Sequence, residues 1–141
     1  MVDAEEIHDS ADERVAAHVR RFLATGGRAR PGVPELLLTT RGRRTGKLRR
    51  TVLVHAVDGE RFILAASNQG KDHHPAWYLN LTTHPEVTVQ VGTDVFPARA
   101  RTATPDERPG LWSLMVAIMP TYRAYEALTV RQIPVVILDR T

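Results

Sequence analysis

The densest chemistry in the chain lies in one stretch, Thr39 to Thr51, which reads TTRGRRTGKLRRT. Six of its thirteen residues are cations: Arg41, Arg43, Arg44, Lys47, Arg49 and Arg50. Gly42 and Gly46 bracket Arg43, Arg44 and Thr45. Strand-like apolar runs lead in at Leu36–Leu38 and out at Val52–Val54. The pattern predicts a cationic hairpin turn with exposed backbone donors. Glycine lets the backbone turn tightly and approach a ligand closely. The guanidinium fork grips phosphate or carboxylate through two parallel hydrogen bonds. The stretch therefore reads as an anion-binding loop, for a polyanionic cofactor or for nucleic acid. A solvated charged turn is the plain alternative, since a basic run alone is weakly specific.

Other residues offer chemistry further along. Ser67-Asn68-Gln69-Gly70-Lys71-Asp72-His73-His74 is a polar loop after the apolar strand Phe62–Ala66. It supplies hydroxyl, amide and backbone donors at one strand end, and polar loops on a rigid scaffold often carry function; a plain surface loop is the alternative. Ser67 has no G-x-S-x-G context, so hydrolysis through it has little support. His73 and His74 are adjacent, no metal-ligand spacing is present, and no metal site is expected. Pro75–Leu81 predicts a short helix whose free first amides make a second anion site. On it Trp77 and Leu81 share a face, and Trp77 reads as a core residue. Tyr122 and Tyr125 lie three apart and can line a pocket mouth or simply pack.

The elements that must hold these residues follow from the pattern. With 141 residues, 43% of them hydrophobic and 25% charged, the chain is large enough for one globular domain. The net charge of +3 is small, and the bases cluster locally, which favours a discrete anionic ligand. Only 6% of residues are aromatic, too few for a single-strand stacking platform, so no nucleic-acid partner is expected. There are no cysteines, hence no disulfide, thiolate metal site or cysteine nucleophile. The acidic start does not read as a signal peptide, no apolar run is long enough to span a bilayer, and the expected location is cytoplasmic.

Residues 1–10 are expected to be flexible and 11–141 to form one domain. A helix is predicted over Ala11–Ala24, stopped by Gly26 and Gly27. Strands are predicted at Pro34–Thr40, Arg49–Val57, Arg61–Ala66, Val87–Val91, Val95–Ala103 and Pro134–Asp139. Asp58-Gly59 and Gly92-Thr93-Asp94 mark turns. Thr104 and Glu107 form a capping box before a helix running to about Ile118, and Pro120 separates it from a segment over Thr121–Leu128. Six mostly antiparallel strands without βαβ alternation suggest a small barrel, closed or half-closed, with peripheral helices.

Four runs, LLLTTRGRRTGKLRRTVL, ILAASNQG, HPAWYLNLTTHPEVTVQV and MPTYRAYEALTVRQIPVVIL, occur in that order. Together they resemble the deazaflavin-dependent nitroreductase family, flavin/deazaflavin oxidoreductases of the A type, over about residues 11–140. The resemblance implies a mainly β, split β-barrel α+β fold and coenzyme F420, a 5-deazaflavin with a phosphate and a polyglutamate tail. It places Arg43, Arg44 and Thr45 on the coenzyme phosphate. Arg49, Arg50, Thr51, Val52, Leu53 and Val54 run along the coenzyme, with Ala65, Ala66, Ser67 and Asn68 beside the ring. Ala76, Trp77, Tyr78, Leu79 and Asn80 form the helix start that meets it. Tyr122 and Ser67 are the implied catalytic donors, and Tyr122 and Tyr125 the substrate pocket. Asn68 stands where many members have lysine, and Met119 where some nitroimidazole-reducing members have tyrosine.

The expectation is hydride transfer from reduced F420 to a small acceptor such as a quinone or nitro compound. The alternatives are a split barrel binding flavin mononucleotide or haem, and a non-catalytic deazaflavin carrier. Peripheral membrane contact through the N-terminal helix accompanies the resemblance as a possible partner interaction.

Overall fold

The computed structural model describes residues 5–141. Seven strands form one antiparallel sheet: β1 (Glu35–Arg41), β2 (Leu48–Val54), β3 (Ala56–Asp58), β4 (Arg61–Ala65), β5 (Glu86–Val91), β6 (Asp94–Thr102) and β7 (Val135–Arg140). Their spatial order is β2-β1-β5-β6-β7-β4-β3. β2 and β3 are consecutive in the chain yet lie at opposite edges of the sheet. The chain thus ties the two edges together through His55, and the sheet curls into a half-barrel of the split-barrel type. The expectation of six strands treats Arg49–Val57 as one. At His55 the run divides, and its amide donates outside the ladder to the Pro34 carbonyl at 3.0 Å.

β1 is buried along nearly its whole length because both of its faces are covered. Leu36 and Leu38 point into the barrel with Leu64, Val89, Phe96 and Leu138. Leu37 faces the other way, onto Val52 and onto Val19 and Phe22 of α1 (Glu13–Ala24). Each such leucine contributes about 1.5–3 kcal/mol on burial. β6 alternates instead: Phe96, Ala98 and Ala100 are inward and their neighbours face water, the pattern of a half-buried strand.

The helices begin and end where local chemistry dictates. Asp12 caps α1 by accepting the Arg14 amide at 2.9 Å. At the other end the Gly27 amide reaches the Phe22 carbonyl at 2.8 Å, closing a Schellman turn through left-handed Gly26 and Gly27. A Cβ on Gly27 would stand 2.8 Å from the Gly92 Cα, so only glycine fits. α2 covers Ala76–Thr83 and α4 Thr121–Leu128. α3, Arg108–Ile118, follows the capping box: the Thr104 amide donates to Glu107 at 2.9 Å, and the Glu107 amide to Thr104 Oγ1 at 3.3 Å.

Where flexibility is expected over residues 1–10, residues 5–10 run beside the free edge of β2; the first four lie outside the described residues. Ile7 bridges Leu48 in parallel, and the His8 amide donates to the Leu48 carbonyl at 2.8 Å.

Candidate functional site

β2 is an edge strand whose outer side pairs with no strand; the segment around Ile7 and His8 meets its backbone only at Leu48. Along that edge run two cavities of about 350 and 500 Å³, which share Val15, Thr51 and Trp77 and so form one groove. α1 walls it on one side and the start of α2 on the other.

One end of the groove is cationic. Thr40, Arg49, Arg50, Ala76 and Asn80 line it. Asn80 is buried and knits the elements together. Its Oδ1 accepts the Arg43 amide at 3.1 Å and the Arg43 guanidinium at 3.3 Å, and its Nδ2 donates to Thr40 Oγ1 at 3.2 Å. Helix and hairpin are thereby fixed against each other. Within the hairpin the Gly42 amide bonds Lys47, the Gly46 amide bonds Gly42, and a Cβ on Gly42 would lie 2.9 Å from Thr45 Oγ1. Arg44, Thr45 and Lys47 are exposed.

The six cations are not equally available. Arg41 forks onto Glu5 at 2.7 and 2.8 Å. Arg49 donates to the Asp9 carbonyl at 3.1 Å, and Arg50 pairs with the Asp9 carboxylate at 2.5 and 3.1 Å. Arg50 holds the Asp9 carboxyl below its usual range. Arg44 and Lys47 have no side-chain partner among the described residues. The acidic segment before α1 thus occupies part of the charge that the sequence presents as free.

The other end mixes apolar side chains with polar and charged ones, among them Asp12, Arg14, His18 and Gln69. Val52, Leu53, Val54 and Ala65 line it with Ser67, Asn68, Lys71, Pro75 and Tyr122. The Ser67 loop has a strained backbone: Asn68 and Gln69 take φ of +48° and +58°. Such residues cost of order 1 kcal/mol or more and gather at binding sites. Arg131 holds this loop in place. Its guanidinium donates to the carbonyls of Ala66 at 3.2 Å, Ser67 at 2.7 Å and Lys71 at 2.9 Å, and to His74 Nδ1 at 3.0 Å. Burial and the Arg131 charge push the His74 imidazole down from its usual range.

Tyr122 packs against the rings of Trp112 at 6.0 Å and Tyr125 at 6.1 Å. Burial pushes its phenol up to about 12, so it stays protonated and keeps a hydrogen to donate to a ligand in the groove. Tyr125 stands behind it, off the groove wall. Ala66 is fully buried, and Tyr78 turns into the barrel, where its hydroxyl meets Thr102 at 2.8 Å. Leu79 packs on the same barrel core. Arg43, Arg44 and Thr45 stand on the hairpin beside the groove rather than in its wall. Trp77, expected in the core, is only half-buried and sits where the two cavities meet. The indole cannot bury completely because α2 presents it at the rim of the barrel.

Two residues of the site carry no local sequence signal: His18, which lines this cavity from α1 with Nε2 3.0 Å from the buried Glu35 carboxylate of β1, and Arg131. Glu35 does carry one: a carboxylate in the apolar run Glu35–Leu38 demands a buried partner.

A family model described as F420H(2)-dependent quinone reductase matches residues 12–140. The chain belongs to this family. The F420H(2)-dependent quinone reductase Rv1261c of Mycobacterium tuberculosis is 36% identical over 130 residues, 87% of each chain. A solved F420-H2 dependent reductase (FDR-A) superposes with a TM-score of 0.70 at 37% identity, covering 75% of this chain and 94% of that one. Another solved relative, described as a domain-swapped dimer, superposes at 0.72 with 34% identity, covering 92% and 100%.

The groove fits the deazaflavin chemically. Trp77 with Val52, Val54 and Ala65 would suit a flat ring, and Arg43 and Arg44 beside the groove, with the first amides of α2, would hold its anionic groups. When bound, the reduced coenzyme supplies a hydride.

Proposed function

We propose that this chain reduces a quinone-class acceptor with hydride from F420H2. The observation that carries the reading is the groove along the outer edge of β2, cationic beside the hairpin and, at the other end, lined by Val52, Val54, Ala65 and Trp77 together with the hydroxyls of Ser67 and Tyr122. Arg43, Arg44 and Thr45 hold the coenzyme phosphate, and Arg49 and Lys47 favour its acidic tail. Thr51–Val54 and Ala65 flank the ring, and Trp77 orients it. The acceptor lies near Ser67 and Tyr122, with Tyr125 bracing Tyr122. The Tyr122 hydroxyl donates to the acceptor oxygen, where negative charge develops in the transition state. Val15 and the apolar wall exclude water from the reacting face.

No helix among the described residues is long and apolar enough to cross a membrane. The reading is of a cytoplasmic protein, with α1, which exposes Arg14, Arg20 and Arg21, as the element that meets a membrane surface carrying lipid-soluble quinone.

The deciding experiment is a parallel titration of the purified protein with oxidised F420, flavin mononucleotide and haem. F420 should bind at least tenfold more tightly than the flavin, about 1.4 kcal/mol. Equal or tighter binding of the flavin or haem overturns the reading. Tight F420 binding without oxidation of F420H2 by any quinone makes the protein a carrier.

A further inference from the structure

Glu35 is the one buried carboxylate among the described residues, with its side chain 1% exposed. Its charge is not solvated, so its partners must stabilise it. They are unevenly placed. Oε2 accepts Arg30 Nε at 3.1 Å and Nη2 at 2.9 Å, and lies 3.0 Å from His18 Nε2. Oε1 has no partner, and neither has the buried Nδ1 of the adjoining His55. The His18 approach is close but tilted off a straight hydrogen bond. Such bonds in a site awaiting substrate are often misaligned and straighten when it arrives.

His18 is placed to meet that substrate. It stands on α1, its side chain is 22% exposed, and it lines the same cavity as Tyr122, Ser67 and Val54. One ring nitrogen faces the buried carboxylate, and the part-exposed side chain lines the groove. A carboxylate behind an imidazole fixes its orientation and stabilises its protonated form. No three histidine, aspartate or glutamate side chains among the described residues converge as a metal cage.

Quinone reduction needs such a group. The hydride arrives with its electron pair, and a pair moves onto a quinone oxygen. That oxyanion then needs a proton. Tyr122 holds its proton up to about 12, so it stabilises the charge without readily releasing the proton. The other ionisable groups of this cavity wall are Asp12, Arg14 and Lys71. Asp12 is held ionised by Arg14 and has no proton to give. Arg14 and Lys71 are cations suited to attracting the oxyanion rather than protonating it. Imidazole is the side chain that exchanges a proton near neutral pH.

We propose that His18 is a catalytic residue that protonates the reduced acceptor, and that Glu35 and Arg30 are the positioning residues that aim it. The His18 Nδ1–H bond breaks as the substrate O–H bond forms, and the neutral imidazole regains a proton from water at the mouth of the groove. The inference rests on the quinone reductase reading. The groups facing His18 in this scheme are Glu35 from β1 and Arg30 from the linker. Asp12 and Arg14 face it from its own helix, Lys71 and Tyr122 from across the groove, and His55 from behind Glu35.

The test uses single-turnover oxidation of F420H2 by menadione from pH 5.5 to 9, on wild type, His18→Gln and Glu35→Gln. Oxidised F420 affinity and melting temperature are measured on each, and the His18 imidazole is titrated by NMR. The wild-type rate should fall as pH rises through the His18 titration. His18→Gln should lose at least tenfold in rate at pH 6.5 and lose that limb, with F420 affinity within threefold. His18→Asn, a shorter amide, should do the same if Gln perturbs α1. Glu35→Gln should lower the rate at pH 6.5 and alter the pH profile, with F420 affinity within threefold. A His18 variant that keeps the wild-type rate and limb overturns this assignment alone. Failure of the wild type to oxidise F420H2 at any pH overturns the reductase reading and this inference with it.

Discussion

Tyr122 and His18 share a cavity wall but have different duties, and single substitutions separate them. Tyr122→Phe keeps the ring packing on Trp112 and removes only a hydroxyl that has no protein partner among the described residues. The fold should therefore be little affected. If the hydroxyl stabilises charge on the acceptor, turnover should fall about 10- to 1000-fold, with F420 affinity within a few-fold. The pH limb assigned to His18 should persist. Steady-state oxidation of F420H2 beside a melting curve checks this; unchanged turnover removes Tyr122 from the catalytic set and leaves Ser67 as the hydroxyl donor. On the hairpin, Arg44→Ala should weaken F420 binding by about 1.5–3 kcal/mol, the range for hydrogen bonds to a charged group. The melting temperature should stay put, since exposed Arg44 supports no other residue. Normal binding with lowered stability would mean that the turn is structural. Arg44 is legible in the sequence because a glycine-bracketed basic turn has a local signature. His18 is not, because its meaning comes from Glu35, which reaches it only through the packing of α1 on β2.

Arg131 is the element-scale counterpart. It follows α4 and closes over the Ser67 loop, binding the three carbonyls of Ala66, Ser67 and Lys71. Without it, the loop keeps its own turn bonds, Gly70 N–H to Ser67 and Asn68 Nδ2–H to His73, but loses the clamp that seats it against α4, while Asn68 and Gln69 remain in left-handed backbone. Arg131→Met should cost about 1–3 kcal/mol, the usual penalty for stranding part-buried acceptors. It should also raise the KM for the acceptor more than it weakens F420 binding at the far hairpin. Proteolysis of the native protein should then cut first between Ser67 and His74, and a variant resistant there would show that the loop holds itself. The helices themselves were readable: the Schellman glycines, the Thr104–Glu107 box and Pro120 act within a few residues of what they control. The short α4 segment, Thr121–Leu128, is set by that same proline. The long-range clamp from Arg131 to Ser67 has no such local trace.

At the scale of the whole molecule, closure depends on the passage of the chain from β2 to β3. Nothing in the run from Leu53 to Val57 announces a break, because the apolar β-pattern continues through it. The break is imposed by the curl of the sheet, which leaves one end of the run beside β1 and the other beside β4. His55 occupies that corner, buried and edge-on to Phe62 at 5.6 Å. Burial pushes its imidazole down from the usual value of 6.5, and the Glu35 charge offsets only part of this. The sign of the linkage follows. The unfolded chain binds the His55 proton more readily than the folded one, so stability rises with pH through this window. The contribution is complete above about pH 6.5 and is lost as the pH falls toward the lowered folded value. Asp9 and Glu107 are paired with arginines, and Arg101 with the Thr104 amide brings Glu107 down to about 2, so their contributions fade only below the ordinary carboxylate range. The interval from pH 7 to pH 5 therefore isolates the histidines. The melting temperature should decline across it, and His55→Phe, which keeps a ring at the corner and cannot charge, should flatten the decline. His74→Gln should flatten it less, because His74 is the more exposed of the two. A decline unchanged in His55→Phe would move the acid sensitivity to other histidines and leave the barrel corner indifferent to pH.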